Sequence, residues 1–126
     1  MTQRSIDQFL QERGEEDSED FKSHSAVVCL AEPGVPVVFV SDEFITHTGY
    51  SSEEVIGRSL DLLQGPETEP EAIERFRELI KNCQNGTIRI TNYRKNGELF
   101  VHECELRPIR DESDVVTHFI AIQRPI

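Results

Sequence analysis

Three polar residues recur on strand faces that are otherwise apolar in the C-terminal part of the chain. Asn92 alternates with isoleucines in TIRITNY, His102 alternates with Cys104 in FVHECEL, and Gln123 ends one face of THFIAIQ. A buried amide or imidazole must find a hydrogen-bond partner or it costs about 1 to 3 kcal/mol. The pattern therefore predicts a polar ligand on this face of a sheet. The alternative is that Asn92 and Gln123 lie at strand ends and meet water.

Other residue types that could carry chemistry lack partners at a useful spacing. The three cysteines, Cys29, Cys83 and Cys104, form no CxxC pair and have no histidine at zinc-ligand spacing. Neither a disulfide framework nor a metal site is predicted. The remaining histidines have no paired nucleophile or carboxylate at a recognisable spacing, so we expect no enzyme activity.

Length and charge restrict the class of protein. The 126 residues are enough for one domain, and 13 Lys and Arg against 24 Asp and Glu give a net charge of −11. Such a chain repels nucleic acid and anionic lipid surfaces. No apolar run reaches the roughly 18 residues of a membrane span, and the N-terminus lacks a signal-peptide core. We expect a cytoplasmic protein that binds neither nucleic acid nor a membrane.

Residues 1–25 differ from the rest of the chain and are assigned to a separate N-terminal segment. Its first half predicts a short amphipathic helix that ends at Gly14, with an apolar stripe of Ile6, Phe9 and Leu10. The acidic run over 15–20 is interpreted as a solvated connector. The stripe is too narrow to fold alone, so it docks on the domain, forms a homodimer contact or frays.

Residues 26–126 alternate between strand and helix signals. The runs AVVCL and VVFV predict two strands, and serine caps predict short helices over 41–49 and from 51 to about 57. A longer amphipathic helix is predicted over about 68–82. Three strands follow, with a hairpin at Asn96 and Gly97. The fold class is therefore α+β, with a five-stranded antiparallel sheet, several short helices and one longer helix on one face.

One loop resembles a known signature. The segment GRSLDLLQGPETEP is similar to the GRNCRFLQGPETD loop of the light-oxygen-voltage (LOV) branch of PAS domains. The flanking segments VSDEFITHTGYSSEEVIGR and NYRKNGELFVHECELRPIRD agree with that family, and the resemblance spans about 26–123. It implies a PAS fold that holds FMN between the sheet and the short helices, absorbs blue light, and forms a transient bond from a loop cysteine to the flavin.

The sequence departs from the family at the centre of that loop. Leu60 stands where the family has the reactive cysteine, and a leucine supplies no thiol for the bond. Ser59, Asp61, Val35 and His102 replace an asparagine, an arginine and two further asparagines of the family. The resemblance therefore implies a module that lacks the usual photocycle.

The resemblance also implies which residues hold the cofactor, FMN or riboflavin. Arg77 matches an arginine that binds the FMN phosphate, and Asp61 opposes it, so FMN affinity is expected to fall. Gln64, Asn92 and Gln123 match residues that meet the ring and ribityl chain. The full predicted cofactor-binding set is Leu63, Gln64, Arg77, Ile80, Asn92, His102, Cys104, Leu106, Phe119 and Gln123.

Two functions of different class remain. The first is a flavin-binding sensory module for blue light or redox, in which proton uptake at flavin N5 makes Gln123 reverse its amide. Tyr50, Tyr93 or an external reductant would supply the electron, and Cys104 is a candidate substitute for the missing thiol. The alternative is a flavin-free PAS interaction module. In either case we expect the signal to leave through an unidentified signalling protein or a homodimer formed by the N-terminal helix.

Overall fold

The computed structural model describes residues 15–126, with side chains from residue 19 onward. The helices are α1 Glu15–Ser23, α2 Asp42–Thr48, α3 Ser52–Val55, a 3-10 helix Leu60–Leu63, and α4 Pro70–Lys81. The strands are β1 Ser25–Leu30, β2 Val37–Val40, β3 Gly86–Tyr93, β4 Leu99–Arg110 and β5 Val116–Pro125. The predicted stripe of Ile6, Phe9 and Leu10 lies outside the described residues.

The five strands form one antiparallel sheet in the order β2-β1-β5-β4-β3. This architecture confirms the predicted fold class. In the register of the central strands, Gln123 of β5 pairs with Ser25 of β1 on one side and Cys104 of β4 on the other. Buried residues fall into two clusters, one on each side of the sheet, and the helices α2 to α4 belong to the inner side.

The caps read from the sequence are present. The Ser41 hydroxyl accepts a hydrogen bond from Phe44 N at the start of α2, and Gly49 ends that helix at a φ of 81°. Ser51 and Glu54 form the expected capping box at α3. No helix within residues 15–126 is long and apolar enough to cross a membrane.

The acidic run predicted as a connector is instead part of helix α1, so that prediction was wrong. Phe21 in this helix is 2% exposed and packs into the outer cluster of the sheet. Asp20 Oδ2 accepts a hydrogen bond from the Arg107 guanidinium at 2.7 Å. The buried Phe21 and the ion pair of Asp20 with Arg107 hold the helix on the sheet, and the acidic composition of the segment hid both.

The segment between the 3-10 helix and α4 is fastened to strand β3. Thr68 Oγ1 donates to the Thr91 carbonyl at 2.7 Å and accepts from Gly65 N at 2.9 Å. A Cβ at Gly65 would lie 2.3 Å from the ring of Tyr93, so a side chain at this position is excluded. The Tyr93 hydroxyl accepts from Glu67 N at 2.9 Å, which gives this tyrosine a structural role.

Glu69 completes this attachment, although its side chain does not cap α4. Its carboxylate accepts hydrogen bonds from Thr91 N and Thr91 Oγ1, both at 2.8 Å. The backbone hydrogen bond from Thr91 is the main cause that lowers the pKa of Glu69 below its usual range. The stabilisation is therefore present above the pKa of an unfolded glutamate and is lost as the pH falls through the lower folded pKa.

Glu69→Gln is expected to lower the free energy of unfolding by at most about 1 kcal/mol at pH 7, because glutamine keeps only one of the two acceptor oxygens and loses the charge. Denaturant unfolding at pH 7 and at lower pH values measures the difference, which shrinks as the solution is acidified. The matched control is Glu71→Gln, an exposed glutamate in the first turn of the same helix. An effect of Glu69→Gln that is independent of pH would contradict this assignment.

Candidate functional site

A cavity lies between the inner face of the sheet and the helices. The space that it encloses, including the part open to solvent, is about 890 Å³. Both the sheet and the helical side contribute to its wall. The lining residues are Cys29, Gly34, Val35, Ser59, Leu60, Asp61, Leu63, Gln64, Ile73, Phe76, Arg77, Ile80, Ile90, Asn92, His102, Cys104 and Gln123.

The three polar residues of the sheet face are buried on this cavity. Asn92 is 6% exposed, His102 is 1% exposed and Gln123 is 3% exposed. The alternative that Asn92 and Gln123 meet water at strand ends is therefore wrong. Strand β4 runs to Arg110 and β5 to Pro125, so Gln123 lies inside the sheet.

Two of these side chains form hydrogen bonds to the protein with one end of the amide, and the other end of each amide has no partner. Ser25 Oγ donates to Gln123 Oε1 at 2.7 Å, which leaves the amide nitrogen of Gln123 as a donor. With its nitrogen turned toward the backbone, Asn92 donates to the carbonyls of Leu63 and Thr91, both at 3.3 Å, and keeps its oxygen as an acceptor. The cavity therefore presents at least one donor and one acceptor to a ligand.

His102 lies beside an aromatic and cationic group. Its ring stacks on Phe100 at a centroid distance of 5.2 Å, and the Phe100 ring meets His47 edge-on at 4.6 Å. The Arg94 guanidinium lies 4.9 Å from the Phe100 centroid and bonds the backbone carbonyl of His47. Burial, followed by repulsion from His47, lowers the pKa of His102 to about 4. The imidazole is therefore neutral at pH 7.

Two thiols border the cavity, one expected and one not. Cys104 was predicted on this face, whereas Cys29 of β1 was not. Burial raises the pKa of each thiol to about 12, with smaller contributions from Cys104 on Cys29 and from Glu105 on Cys104. Both remain protonated at neutral pH and behave as small apolar groups. Leu60 also lines the cavity.

The helical side of the cavity carries one charge of each sign. Asp61 of the 3-10 helix and Arg77 of α4 both line the cavity, as the resemblance implied. Ser59, which replaces an asparagine of the family, caps the 3-10 helix by accepting from Asp61 N at 3.3 Å. An anionic group of a ligand held near Arg77 would therefore share that space with a carboxylate.

The predicted wall is right in part. Leu106 and Phe119 do not border the cavity but are buried in the inner cluster. In the sheet register they lie farther along the strands than Cys104 and Gln123, and alternation gives the face of a residue but not its depth. Sequence reasoning missed five lining residues: Cys29, Gly34, Ile73, Phe76 and Ile90. Ile73 and Phe76 belong to the apolar face predicted for α4, which was a usable signal.

Comparisons with known proteins agree with this fold. The family model described as PAS domain matches residues 24–126. The solved LOV domain of a blue-light activated histidine kinase from Erythrobacter litoralis is 33% identical, with a TM-score of 0.77 over 82% of this chain and 95% of that chain. The chain therefore belongs to the PAS domain family, and within it to the LOV type.

Curated relatives are longer proteins. Phototropin-2 of Oryza sativa subsp. japonica is 37% identical over 91 residues, which are 72% of this chain and 10% of that protein. A blue-light photoreceptor of Listeria innocua is 36% identical over 91 residues, which are 72% of this chain and 36% of that protein. The chain spans about a tenth and about a third of their respective lengths.

The loop between β1 and β2 is strained where it borders the cavity. Val35 has a φ of 43°, a left-handed conformation that is unfavourable for a β-branched residue. Its N–H donates to the Glu32 carbonyl at 2.8 Å, and Pro36 follows it. Asparagine, which the family has here, tolerates this conformation far better. Such strain costs on the order of 1 to 3 kcal/mol.

Val35→Asn is expected to be more stable than Val35→Thr by about 1 kcal/mol, because threonine keeps the branched Cβ in the strained conformation. Both variants replace an apolar side chain with a polar one, so the comparison isolates the backbone effect. Thermal or denaturant unfolding of the two ligand-free variants measures the difference. A threonine variant that is as stable as the asparagine variant would show that Val35 is not strained.

Proposed function

We propose that this chain is a flavin-binding LOV sensory module for blue light or redox, which signals without the usual bond between a cysteine and the flavin. The observation that carries this proposal is the cavity between the sheet and the helices, with Asn92, His102 and Gln123 buried on its sheet side. The similarity to LOV domains of blue-light sensors supports the same ligand class. The ligand is FMN or riboflavin.

The residues present fit a flavin ring. The edge of the isoalloxazine ring carries carbonyl and ring-nitrogen acceptors beside one N–H donor. An acceptor on the sheet side, either the free Asn92 oxygen or a ring nitrogen of His102, can accept from that donor, and the free Gln123 nitrogen can donate to an acceptor. Leu63, Ile80 and Ile90 supply apolar surface for the ring faces. When bound, the flavin supplies blue-light absorption and, once excited, a strong oxidant.

The residues around the cavity do not favour bond formation to a thiol. Leu60 has no sulfur, and the raised pKa values of Cys29 and Cys104 keep both thiols protonated. Cys104 is therefore a weak substitute for the missing cysteine. Electron transfer from Tyr50 or from an external reductant is the remaining chemistry that this chain offers.

Gln123 gives a route by which a change in the cavity reaches the outer face of the sheet. Its amide oxygen accepts from Ser25, and a serine hydroxyl can accept as well as donate, so the amide can reverse without losing this partner. Ser25 begins β1 two residues after α1 ends. The Ser41 hydroxyl holds the same junction by donating to the His24 carbonyl at 2.7 Å. Reversal of the Gln123 amide changes the direction of its hydrogen bond with Ser25. Because Ser25 lies at the junction with α1, the change reaches the attachment of that helix.

The alternative function is a flavin-free PAS interaction module. Val35, Asp61 and His102 favour it, because each replaces a residue that the resemblance assigns to flavin binding. Under either function we propose a signalling partner or a homodimer through Ile6, Phe9 and Leu10, and no catalytic role for this domain.

The first test compares riboflavin with FMN. Purified protein titrated with each ligand is expected to quench flavin fluorescence, and Asp61→Arg to tighten FMN about tenfold while leaving riboflavin unchanged. A charge change of two units about 6 Å from a phosphate in water-like surroundings corresponds to about 1.4 kcal/mol, and added salt reduces the gain.

Glu112→Arg makes the same change in net charge at an exposed site away from the cavity, so it is the matched control. If the affinities for FMN and riboflavin rise equally, or if the control variant raises FMN affinity equally, Asp61 does not lie near the phosphate. A protein that binds neither flavin would instead be the interaction module.

The second test concerns the route through Ser25. In flavin-loaded protein, blue light with a reductant is expected to speed hydrogen exchange of the α1 backbone amides. Ser25→Ala removes the partner of Gln123 and is expected to abolish this response, whereas Ser25→Thr keeps a hydroxyl and retains it. A full response in Ser25→Ala would show that the signal does not pass through this hydrogen bond.

A further inference from the structure

His102 is the one buried side chain within residues 19–126 whose polar atoms find no partner. Both ring nitrogens are without a hydrogen bond, although the residue is only 1% exposed and lines the cavity. The other two buried polar residues on the sheet side of the cavity, Asn92 and Gln123, each bond to the protein. An unpartnered buried polar atom costs about 1 to 3 kcal/mol, so this imidazole destabilises the ligand-free fold.

The two ring nitrogens define what would satisfy them. A neutral imidazole has one N–H donor and one lone-pair acceptor, and which nitrogen carries the proton depends on the partner. A ligand that presents an N–H beside a carbonyl can accept from one nitrogen or donate to the other. A ligand edge that carries only hydrogen-bond acceptors needs only N–H donors, and the charged imidazolium of His102 would supply these equally well. The charged form of His102 is strongly disfavoured here.

The groups that surround His102 oppose its protonation. His47 on α2 meets the Phe100 ring on which His102 stacks, and repulsion from His47 favours a neutral His102. The Arg94 guanidinium lies over the same Phe100 ring. Glu43 lies near His47 on the same helix. Cys104, the next residue on this face of β4, is a neutral thiol. On the neighbouring strands His102 pairs with Ile90 of β3 and Pro125 of β5, which are uncharged, and the charged residues lining the helical side of the cavity are Asp61 and Arg77.

Resting on the flavin site proposed above, we propose that His102 sets the ligand specificity of the cavity as a neutral imidazole, accepting a hydrogen bond from a ring N–H of the flavin, and that protonation of His102 releases the ligand. The imidazolium has no lone pair and would face that N–H with its own N–H. The free protein gains this proton as the pH falls through about 4, so affinity falls below that pH and is constant above it.

The same assignment predicts opposite effects on stability and on binding. His102→Phe replaces the unpartnered imidazole with an apolar ring beside Phe100, so the ligand-free protein is expected to melt at a higher temperature. The same variant is expected to bind riboflavin at least about tenfold more weakly at pH 7. A residue with only a packing role would not raise stability and lower affinity together.

The experiment measures riboflavin affinity by fluorescence quenching from pH 7 to pH 3.5, with circular dichroism to verify the fold at each pH. Wild-type affinity is expected to fall about fourfold between pH 6 and pH 3.5, which is the effect of a pKa of about 4. His102→Asn keeps an acceptor that does not titrate, so its affinity is expected to stay within about threefold of wild type at pH 7 and to remain constant in acid. His118→Asn, an imidazole replaced outside the cavity, is the matched control and keeps the wild-type acid response.

Three results would overturn the inference, and they separate it from the proposed function. If His102→Phe binds riboflavin as tightly as wild type, or melts lower without ligand, His102 is a packing residue. If His102→Asn retains the acid response, another group releases the ligand. If the wild-type protein binds no riboflavin at pH 7, the proposed flavin site fails and this inference fails with it.

Discussion

The inner face of the sheet buries three polar side chains beneath the helices, and each needs hydrogen-bond partners away from water. Asn92 uses the backbone of the 3-10 helix and of its own strand, and Gln123 uses Ser25 on the neighbouring strand. His102 has no partner in the protein. The unpartnered imidazole on the cavity wall is the feature that supports the ligand proposed for this cavity.

Contacts on both sides of the sheet maintain the shape of this cavity. The segment that follows the 3-10 helix is tied to β3 by the hydrogen bonds of Thr68 and Glu69, and it closes against the ring of Tyr93 at a glycine. On the other side of the sheet, Phe21 and the Arg107 ion pair hold α1. The cavity and α1 contact opposite faces of the same strands. The side chains of Gln123 and Ser25 are therefore the only two needed to link the cavity to α1 by the proposed route.

The sequence predicted the helices and strands better than it predicted which of their residues are buried. Serine caps, the turn at Gly97 and the alternation of β3 to β5 gave the helices and the sheet, because these signals are local. Helix α1 was missed, since a single buried Phe21 in an acidic run has no periodic signal. Cys29 was missed because β1 is buried on both faces and shows no alternation. The burial of Asn92 and Gln123 depended on tertiary packing, which a strand pattern does not contain.

The central claim is that a flavin in this cavity responds to light without a bond to a thiol. The most direct measurement is the visible absorption spectrum of the riboflavin-loaded protein in the dark and under blue light, with and without an added electron donor. The account predicts the spectrum of oxidised flavin in the dark, and its reduction by light only when a donor is present. Conversion by light alone to a species that absorbs only in the near ultraviolet and recovers in the dark would contradict the claim, and its loss in Cys104→Ala would identify the thiol.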